Sequence, residues 1–306
     1  MVIGIRPASD PDLSVVICTL NRRRLLMDAV TSVLGDIADG VELIVVDNGS
    51  TDGSIQAVEE LERHDPRVVL VREPRLGLSH ARNAGIAAAS GRVVAFLDDD
   101  AVVAPGWGAA ILDAFSARAG VAAVGGKSTL AWPEERRPAW LPARYEPYYS
   151  GVDYGSERTR LESPRIPYGV NMALDRAWLK RLGGFDTGLG RKGRSLISCE
   201  EQDLFLRLRA AGGEIWYEPD AAVYHRVDAA RTRRSWLVRR CFAQGRTHGL
   251  APRLRTALMP PDRPPAVEQR LADPARSALF YRLLLRASYE AGRVVGSLQR
   301  IGHRGP

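Results

Sequence analysis

The stretch Phe96-Leu97-Asp98-Asp99-Asp100-Ala101 places three adjacent carboxylates directly after the apolar run Val93–Leu97. Two like charges about 4 Å apart repel by roughly 1 kcal/mol in water and roughly 4 kcal/mol at the effective dielectric of a protein surface. A buried strand ending in such a run needs either full solvation of the acids or a cation among them. Hard oxygen ligands of this kind suit Mg²⁺ or Mn²⁺, most of all when a diphosphate completes the coordination shell. A second acidic feature is Cys199-Glu200-Glu201-Gln202-Asp203, which opens a stretch of helical spacing. At 100° per residue, Leu204, Phe205, Leu208 and Ala211 form one apolar stripe. Glu201 falls near the middle of that stripe and Glu200 at its edge, so Glu201 is expected to look inward. Acids in a first turn gain roughly 0.3–1 kcal/mol from the helix dipole, which does not explain why one of them continues the buried face. An inward carboxylate can act as a general base, ionised at neutral pH if the helix dipole and a cation outweigh its burial. Asp203 and Arg207 have the i, i+4 spacing of a flanking ion pair.

Three further positions carry chemistry only in company. Asp47-Asn48-Gly49-Ser50 has the composition of a turn, and Asp47 could equally accept hydrogen bonds from a nucleobase. Arg82, near a helix start in GLSHARNAG, is placed to meet a phosphate or to lie on the surface. His225 closes an apolar run, where a lone histidine is structural unless it serves as a metal ligand.

The elements that must position these groups follow from periodicity. Strands are expected over 14–18, 42–46, 67–71 and 92–97, with helices over 21–34, 51–63 and 78–89. This alternation implies an α/β fold with a mainly parallel sheet. Ligands of such sheets bind at the carboxyl ends of strands, where both Asp47 and Asp98–Asp100 lie. From Lys127 to Arg165 five prolines and six Trp or Tyr residues break the pattern, as in the long irregular insertions that form lids. The aromatics there could stack on an acceptor or fill a core. Helices are expected over 175–182 and 200–211, strands over 214–217 and 221–224, and further helices after Trp236, separated by the prolines of 260–265.

The chain has 306 residues and a formal charge of +7, with 45% hydrophobic and 26% charged residues. These are globular proportions, and the length supports a core of its own. Arginines crowd the last third, among them Arg231, Arg239, Arg240 and Arg246, a charge that would attract a phosphorylated ligand or an anionic surface. Three scattered cysteines without CxxC spacing imply no disulfide framework and a reducing compartment. No signal-like h-region and no run of 18 apolar residues are found. A C-terminal stretch joins Leu279, Phe280, Leu283, Leu284 and Val294 to Arg276, Arg282, Arg286, Arg293 and Arg300. This basic amphipathic pattern could lie on a bilayer or pack against its own domain or a dimer partner.

Taken in order, SVVICTLNR, VELIVVDNGSTDGS, GLSHARNAGIAAASGRVVAFLDDDAVVAPGW, GVNMALDR, LGGFD, CEEQDLFLRLRAAG and YEPDAAVYH resemble the family 2 glycosyltransferases of the GT-A fold over roughly residues 12–227. The resemblance implies a Rossmann-like α/β sandwich and inverting transfer from a nucleotide-diphosphate sugar (UDP-, dTDP- or GDP-linked) to a sugar, lipid-linked or small-molecule acceptor. It further implies a nucleotide-binding half at 12–126, an acceptor half at 127–227 and a basic helical extension at 228–306. Carried across, Thr19, Asn21 and Arg22 would line the nucleotide pocket. Asp47 would meet the base, and Arg82 the base or the diphosphate. Asp98–Asp100 would be the DxD element, with Asp98 and Asp99 on the donor and Asp98 and Asp100 on Mg²⁺ or Mn²⁺. Asn171 would stand beside the donor sugar and His225 beside the metal. Trp140 and Tyr168 would face the acceptor. Relatives often read Gly-Glu-Asp where this chain has Cys199-Glu200-Glu201, so the base would be Glu201, with Glu200 beside it. A nucleotidyltransferase or a non-catalytic anion-binding module would share parts of this acid set. The expected setting is cytoplasmic, with the inner membrane face as a further option and no nucleic-acid partner.

Overall fold

The computed structural model describes residues 12–37, 40–193, 195–252, 254 and 275–302, with side chains from 283 to 300 in the last segment. The first part alternates as expected: β1 (Leu13–Thr19), α1 (Arg23–Asp36), β2 (Val41–Asp47), α2 (Ser54–His64), β3 (Val68–Arg72), α3 (Leu78–Ala88) and β4 (Val93–Asp98). There follow β5 (Ala101–Val103), α4 (Trp107–Ser116), β6 (Val121–Ala131), β7 (Thr159–Arg160), β8 (Asn171–Asp175), α5 (Arg176–Leu182), α6 (Glu200–Ala210), β9 (Glu214–Arg226), α7 (Arg234–Leu250) and α8 (Ala275–Gly302).

The strands form one sheet in the order β3-β2-β1-β4-β8-β6-β9-β5, with β7 on the side of β9. Strands β3, β2, β1 and β4 are parallel. β8 joins antiparallel between β4 and β6, and β6 and β9 are again parallel. Val15–Ile17, Leu43–Val46 and Val93–Leu97 are at most 2% exposed, as parallel strands covered on both faces must be. One face carries α1 and α4, with Leu26, Val30, Val33, Trp107 and Ile111 packed on it. The other carries Ala81 of α3, Leu179 of α5, Phe185, and Leu204, Phe205 and Leu208 of α6.

Two departures from the expected pattern shape the site. The segments 214–217 and 221–224 are one strand, β9, because β6 runs beside its whole length to Ala131 and absorbs the Glu218-Pro219-Asp220 interruption with a register shift between Gly126 and Ser128. The irregular insertion therefore starts at Trp132. The short strand β5 was not legible in the sequence. It pairs antiparallel with β9 and sets Ala101 opposite His225, which brings the histidine beside the aspartates.

The insertion's aromatics build a core of their own. Leu141 and Tyr149 pack with Val227, Trp236, Leu237, Cys241 and Leu285, with Trp132, Trp140, Tyr145 and Tyr148 alongside. Tyr149 and Trp236 stack at 4.7 Å between ring centroids. This core joins the insertion to α7 and α8. The two helices approach very closely through Gly245 and Gly249 of α7 and Gly292 and Gly296 of α8. A Cβ at Gly245 would stand 1.9 Å from the Tyr289 carbonyl oxygen, and one at Gly296 would stand 2.1 Å from that of Arg246. The opposite face of α8 leaves Leu283, Leu284, Val294, Val295 and Leu298 exposed. Leu279, Phe280, Arg276 and Arg282 of the amphipathic pattern, and the prolines of 260–265, lie outside the residues whose side chains are described. Among the described residues no helix is long and apolar enough to cross a membrane.

Overfilled interfaces cost typically about 1–3 kcal/mol. Gly245→Leu should therefore lower the melting temperature and free α8 to limited proteolysis. An unchanged melting point and digestion pattern would contradict this contact.

Candidate active site

The carboxyl ends of β1 and β4 lie side by side, and the groups there bond directly. Thr19 Oγ1 donates to Asp99 Oδ2 at 2.9 Å. Arg22, just before α1, sends Nη1 to Asp99 Oδ1 at 2.9 Å and to Asp100 Oδ2 at 2.7 Å. From β9, His225 Nε2 stands 3.1 Å from Asp100 Oδ1, and Arg231 Nη2 reaches within 3.6 Å of Asp100 Oδ2. Burial opposes ionisation of Asp100, but His225, Arg231 and Arg22 hold its carboxyl well below the usual range. Burial pushes Asp99 up to about 6, with Arg22 opposing and the Asp100 charge adding.

Across a cavity of about 290 Å³ lies the start of α6. Cys199 precedes it in the left-handed region at φ 80°, which turns the chain sharply and aims the first helical turn at the cavity. Arg82 of α3 spans the gap. Its Nη1 lies 3.0 Å from Glu200 Oε1 and 3.7 Å from Glu201 Oε1, and its Nη2 lies 3.4 Å from Asp98 Oδ1. The Phe185 ring backs the guanidinium at 5.3 Å. Gly169 makes this approach feasible, since a Cβ there would meet Arg82 Nη2 at 2.2 Å and Glu201 Oε1 at 2.5 Å. Burial, then the Glu201 charge, pushes the Glu200 carboxyl up to about 7 against the pull of Arg82.

The stripe expectation is reversed in detail. Glu200 is the buried acid, 2% exposed, whereas the Glu201 side chain keeps 20% of its surface. The first turn of α6 is covered by α3 and the loop at Gly190, not by the sheet that buries Leu204 and Leu208, so the face that is inward farther along is open here. Asp203 pairs with Arg207 at 2.8 Å, and Arg207 also donates to the Leu182 and Gly184 carbonyls, fixing the end of α5.

Of the residues singled out in the sequence, Thr19, Arg22, Arg82, Asp98, Asp99, Asp100, Tyr168, Glu200, Glu201 and His225 all line the cavity. The remaining ones do not. Asn21 Oδ1 accepts from Thr51 N at 2.7 Å and ties two loops together. Asp47 accepts from Gly49 N and Ser50 N, holding its own turn, while the adjacent Asn48 lines the cavity. The Asn171 amide is fully used inside the fold: Trp107 Nε1 donates to it, and it donates to the Lys127 and Ala221 carbonyls. Trp140 belongs to the aromatic core with α7, because its part of the insertion folds back on that helix while Tyr148 and Tyr168 reach the cavity. Residues missed as site members are Tyr148, Arg191, Gln202, Arg231 and Arg240. The arginine excess of the last third was the available signal for two of them.

A divalent cation fits this donor set. Ligands at roughly 2.1 Å in octahedral geometry lie about 3 Å apart, the spacing of Asp100 Oδ1 and His225 Nε2. Among the described residues no three His, Cys, Asp or Glu side chains form a complete metal cage, so the other ligands would come from a bound diphosphate and water. All three cysteines are free.

A family model described as glycosyl transferase family 2 matches residues 14–183. The glucosyl-dolichyl phosphate glucuronosyltransferase of Haloferax volcanii is 30% identical over 236 residues, covering 76% of this chain and 75% of that one. The chain belongs to glycosyl transferase family 2. The pre-mycofactocin glycosyltransferase of Mycobacterium tuberculosis is 32% identical over 258 residues, 81% of this chain, of which this chain spans only half the length, 50%. Among solved structures, a mannosyltransferase from Pyrobaculum calidifontis in complex with GDP-mannose and Mn²⁺ superposes with a TM-score of 0.60 at 23% identity, covering 98% of this chain and 77% of that one. That likeness gives this glycosyltransferase the GT-A fold.

The Glu200 proton offers a check on the site's electrostatics. The folded glycosyltransferase keeps it up to about 7, whereas an unperturbed carboxyl releases it near 4.5. The folded state thus binds more protons in that window, and stability falls as pH rises through it. Glu200→Gln cannot ionise, so its melting temperature should decline less between about pH 5 and 8 than that of the parent. Parallel declines would refute the shift.

Proposed function

We propose that this glycosyltransferase moves a sugar from a nucleotide-diphosphate donor to an acceptor hydroxyl with inversion, using Mg²⁺ or Mn²⁺. The observation that carries the proposal is the meeting of two acidic groups across one cavity, Asp98–Asp100 with His225 on one side and Glu200–Glu201 on the other. The donor half, 12–126, supplies Thr19, Arg22 and Asp99 to the ribose and diphosphate, and a nucleobase extending past Asn48 reaches Asp47 and Asn21. Asp100 and His225 would hold the cation, which when bound would supply Lewis-acid stabilisation of a departing diphosphate. Asn171 acts from behind the sugar subsite, fixing β8 against β6 and β9. Tyr168 borders the acceptor. The donor reading, a UDP-, dTDP- or GDP-sugar, draws support from the Pyrobaculum structure, with GDP-mannose and Mn²⁺. The lipid-linked acceptor named for the Haloferax relative favours an acceptor of that type.

Glu201 is the general base. An acceptor hydroxyl becomes nucleophilic as its proton is taken, and a positioned carboxylate contributes about 10²–10⁴-fold. Glu200 has one oxygen on Arg82 and the other buried without a partner among the described residues. Glu201 is the one that meets the open cavity.

The outward face of α8 fits an anionic bilayer, with the inner membrane leaflet as the setting. Leu284, Ala287, Ala291, Val294, Val295 and Leu298 share one exposed side, and Arg286, Arg293 and Arg300 follow at seven-residue intervals beside them. An apolar stripe flanked by arginines is complementary to anionic headgroups in both respects.

Three outcomes are expected. In a nucleotide-sugar panel with Mn²⁺, Glu201→Gln should keep donor binding and lose about 10²–10⁴-fold in kcat, while a dead Glu200→Gln beside a fully active Glu201→Gln would reassign the base. Asp100→Ala should abolish transfer with the fold intact, and full activity of the parent in excess chelator would sink the metal role. Each leucine buried in lipid contributes about 1.5–3 kcal/mol. Leu284→Glu with Leu298→Glu should then cut co-sedimentation with anionic vesicles at least about tenfold, and equal sedimentation would place the contact elsewhere.

A further inference from the structure

The cavity contains five arginines, and three of them are matched by its acids. Arg22 is held by Asp99 and Asp100, Arg82 by Asp98, Glu200 and Glu201, and Arg231 faces Asp100. Arg191 and Arg240 are left over. Among the described residues neither has a carboxylate within ion-pair distance. Arg240 Nη1 donates to Gln244 Oε1 at 2.9 Å, while its Nε is buried with no hydrogen-bond partner among the described residues. Burial and then the Arg191 charge depress the Arg240 guanidinium from its usual range. Half-buried like charges of this kind are costly unless an anion joins them.

Their positions are built, not incidental. The Leu78 amide donates to the Arg191 carbonyl at 2.9 Å, fixing that loop to the start of α3. Gln244, the partner of Arg240, donates through Nε2 to Cys199 Sγ at 3.0 Å, which binds α7 to the start of α6. The Tyr148 ring lies 5.9 Å from the Arg240 guanidinium carbon. Arg240 thus stands at the start of α6, and the Arg191 charge acts on both Arg240 and Glu200 from the loop before that helix. Inversion places nucleophile and leaving group on opposite sides of the anomeric carbon, and the diphosphate belongs beside Asp100, His225 and Arg231. What Arg191 and Arg240 meet is therefore the acceptor.

We propose that Arg191 and Arg240 form a phosphate subsite on the acceptor side, so that the acceptor of this enzyme is a sugar carrying a phosphate ester. This rests on the donor and base assignments above. The guanidinium pair matches phosphate oxygens in charge and in donor geometry. A free sugar phosphate and a lipid-linked sugar phosphate present the same group, and the test separates them.

The experiment is calorimetric titration of the full chain with Mn²⁺, with and without saturating UDP or GDP. The probes are glucose 1-phosphate, dodecyl phosphate below its micelle concentration, and methyl glucoside as a neutral control. Both phosphates should bind more tightly than methyl glucoside, and the tighter of the two identifies the free or the lipid-linked source. Arg191→Gln and Arg240→Gln should each weaken the phosphates by about tenfold or more and shift the nucleotide Kd by less than about twofold. Arg191 lies at the cavity wall outside the α6–α7 contact, so its variant carries the test if Arg240→Gln does not fold. Equal binding of methyl glucoside and the phosphates, no weakening in the variants, or a loss of nucleotide affinity in place of phosphate affinity would each overturn the subsite. Failure of the parent to bind any nucleotide diphosphate would instead overturn the donor reading, and it shows in a separate titration.

Discussion

The Arg82 guanidinium is the joint on which this active site depends. It is buried among Asp98, Glu200 and Glu201, and so links the end of β4 to the start of α6. Each acid alone would be expensive to bury, as would the arginine, and together they are held by bonds that fix the width of the cavity. Removing either member of the buried Arg82–Glu200 pair costs about 3–5 kcal/mol, because its partner is left uncompensated. The bare Cα of Gly169 and the left-handed turn at Cys199 are the backbone conditions that allow the acids to converge.

A second constraint comes from the sheet. The parallel strands end together and deliver Thr19, Asp47 and Asp98 to one edge, as α/β sheets do. The histidine arrives by a different route. The reversal through Asp99 and Asp100 into β5 pairs with β9, and the Arg226 amide bonds the Asp100 carbonyl at 2.8 Å. Backbone pairing thus sets His225 against Asp100 with little freedom, and this rigidity suits a ligand pair.

The segment after β9 is part of the cavity wall. Arg231 and Arg240 enter the cavity from it, and the aromatic core under α7 anchors the insertion that contributes Tyr148 and Tyr168 to the walls. Its second helix is clamped to the first by glycine contacts so close that backbone meets backbone. The hydrogen-bonded chain Tyr289–His248–Gln244–Cys199 then connects α8 to the start of α6. What rests on α8 is therefore mechanically joined to the residues at one wall of the cavity.

The sequence by itself determined the strand and helix order through β4, the acids at strand ends and the helix bearing Glu200 and Glu201, because hydrophobic periodicity and local turn chemistry are properties of neighbouring residues. It also carried the family motifs, which brought ten cavity residues into view. Only the tertiary structure decided which of two adjacent glutamates is buried, since that turns on the loop covering the first turn of α6 and not on helical phase. Packing likewise sent Trp140 into a core with α7 and committed the Asn171 amide to Trp107, Lys127 and Ala221, while bringing Arg191, Arg231 and Arg240 from distant segments to one cavity. Long-range contacts of this kind leave no periodic trace in the sequence, because each depends on where a remote segment of the chain comes to rest.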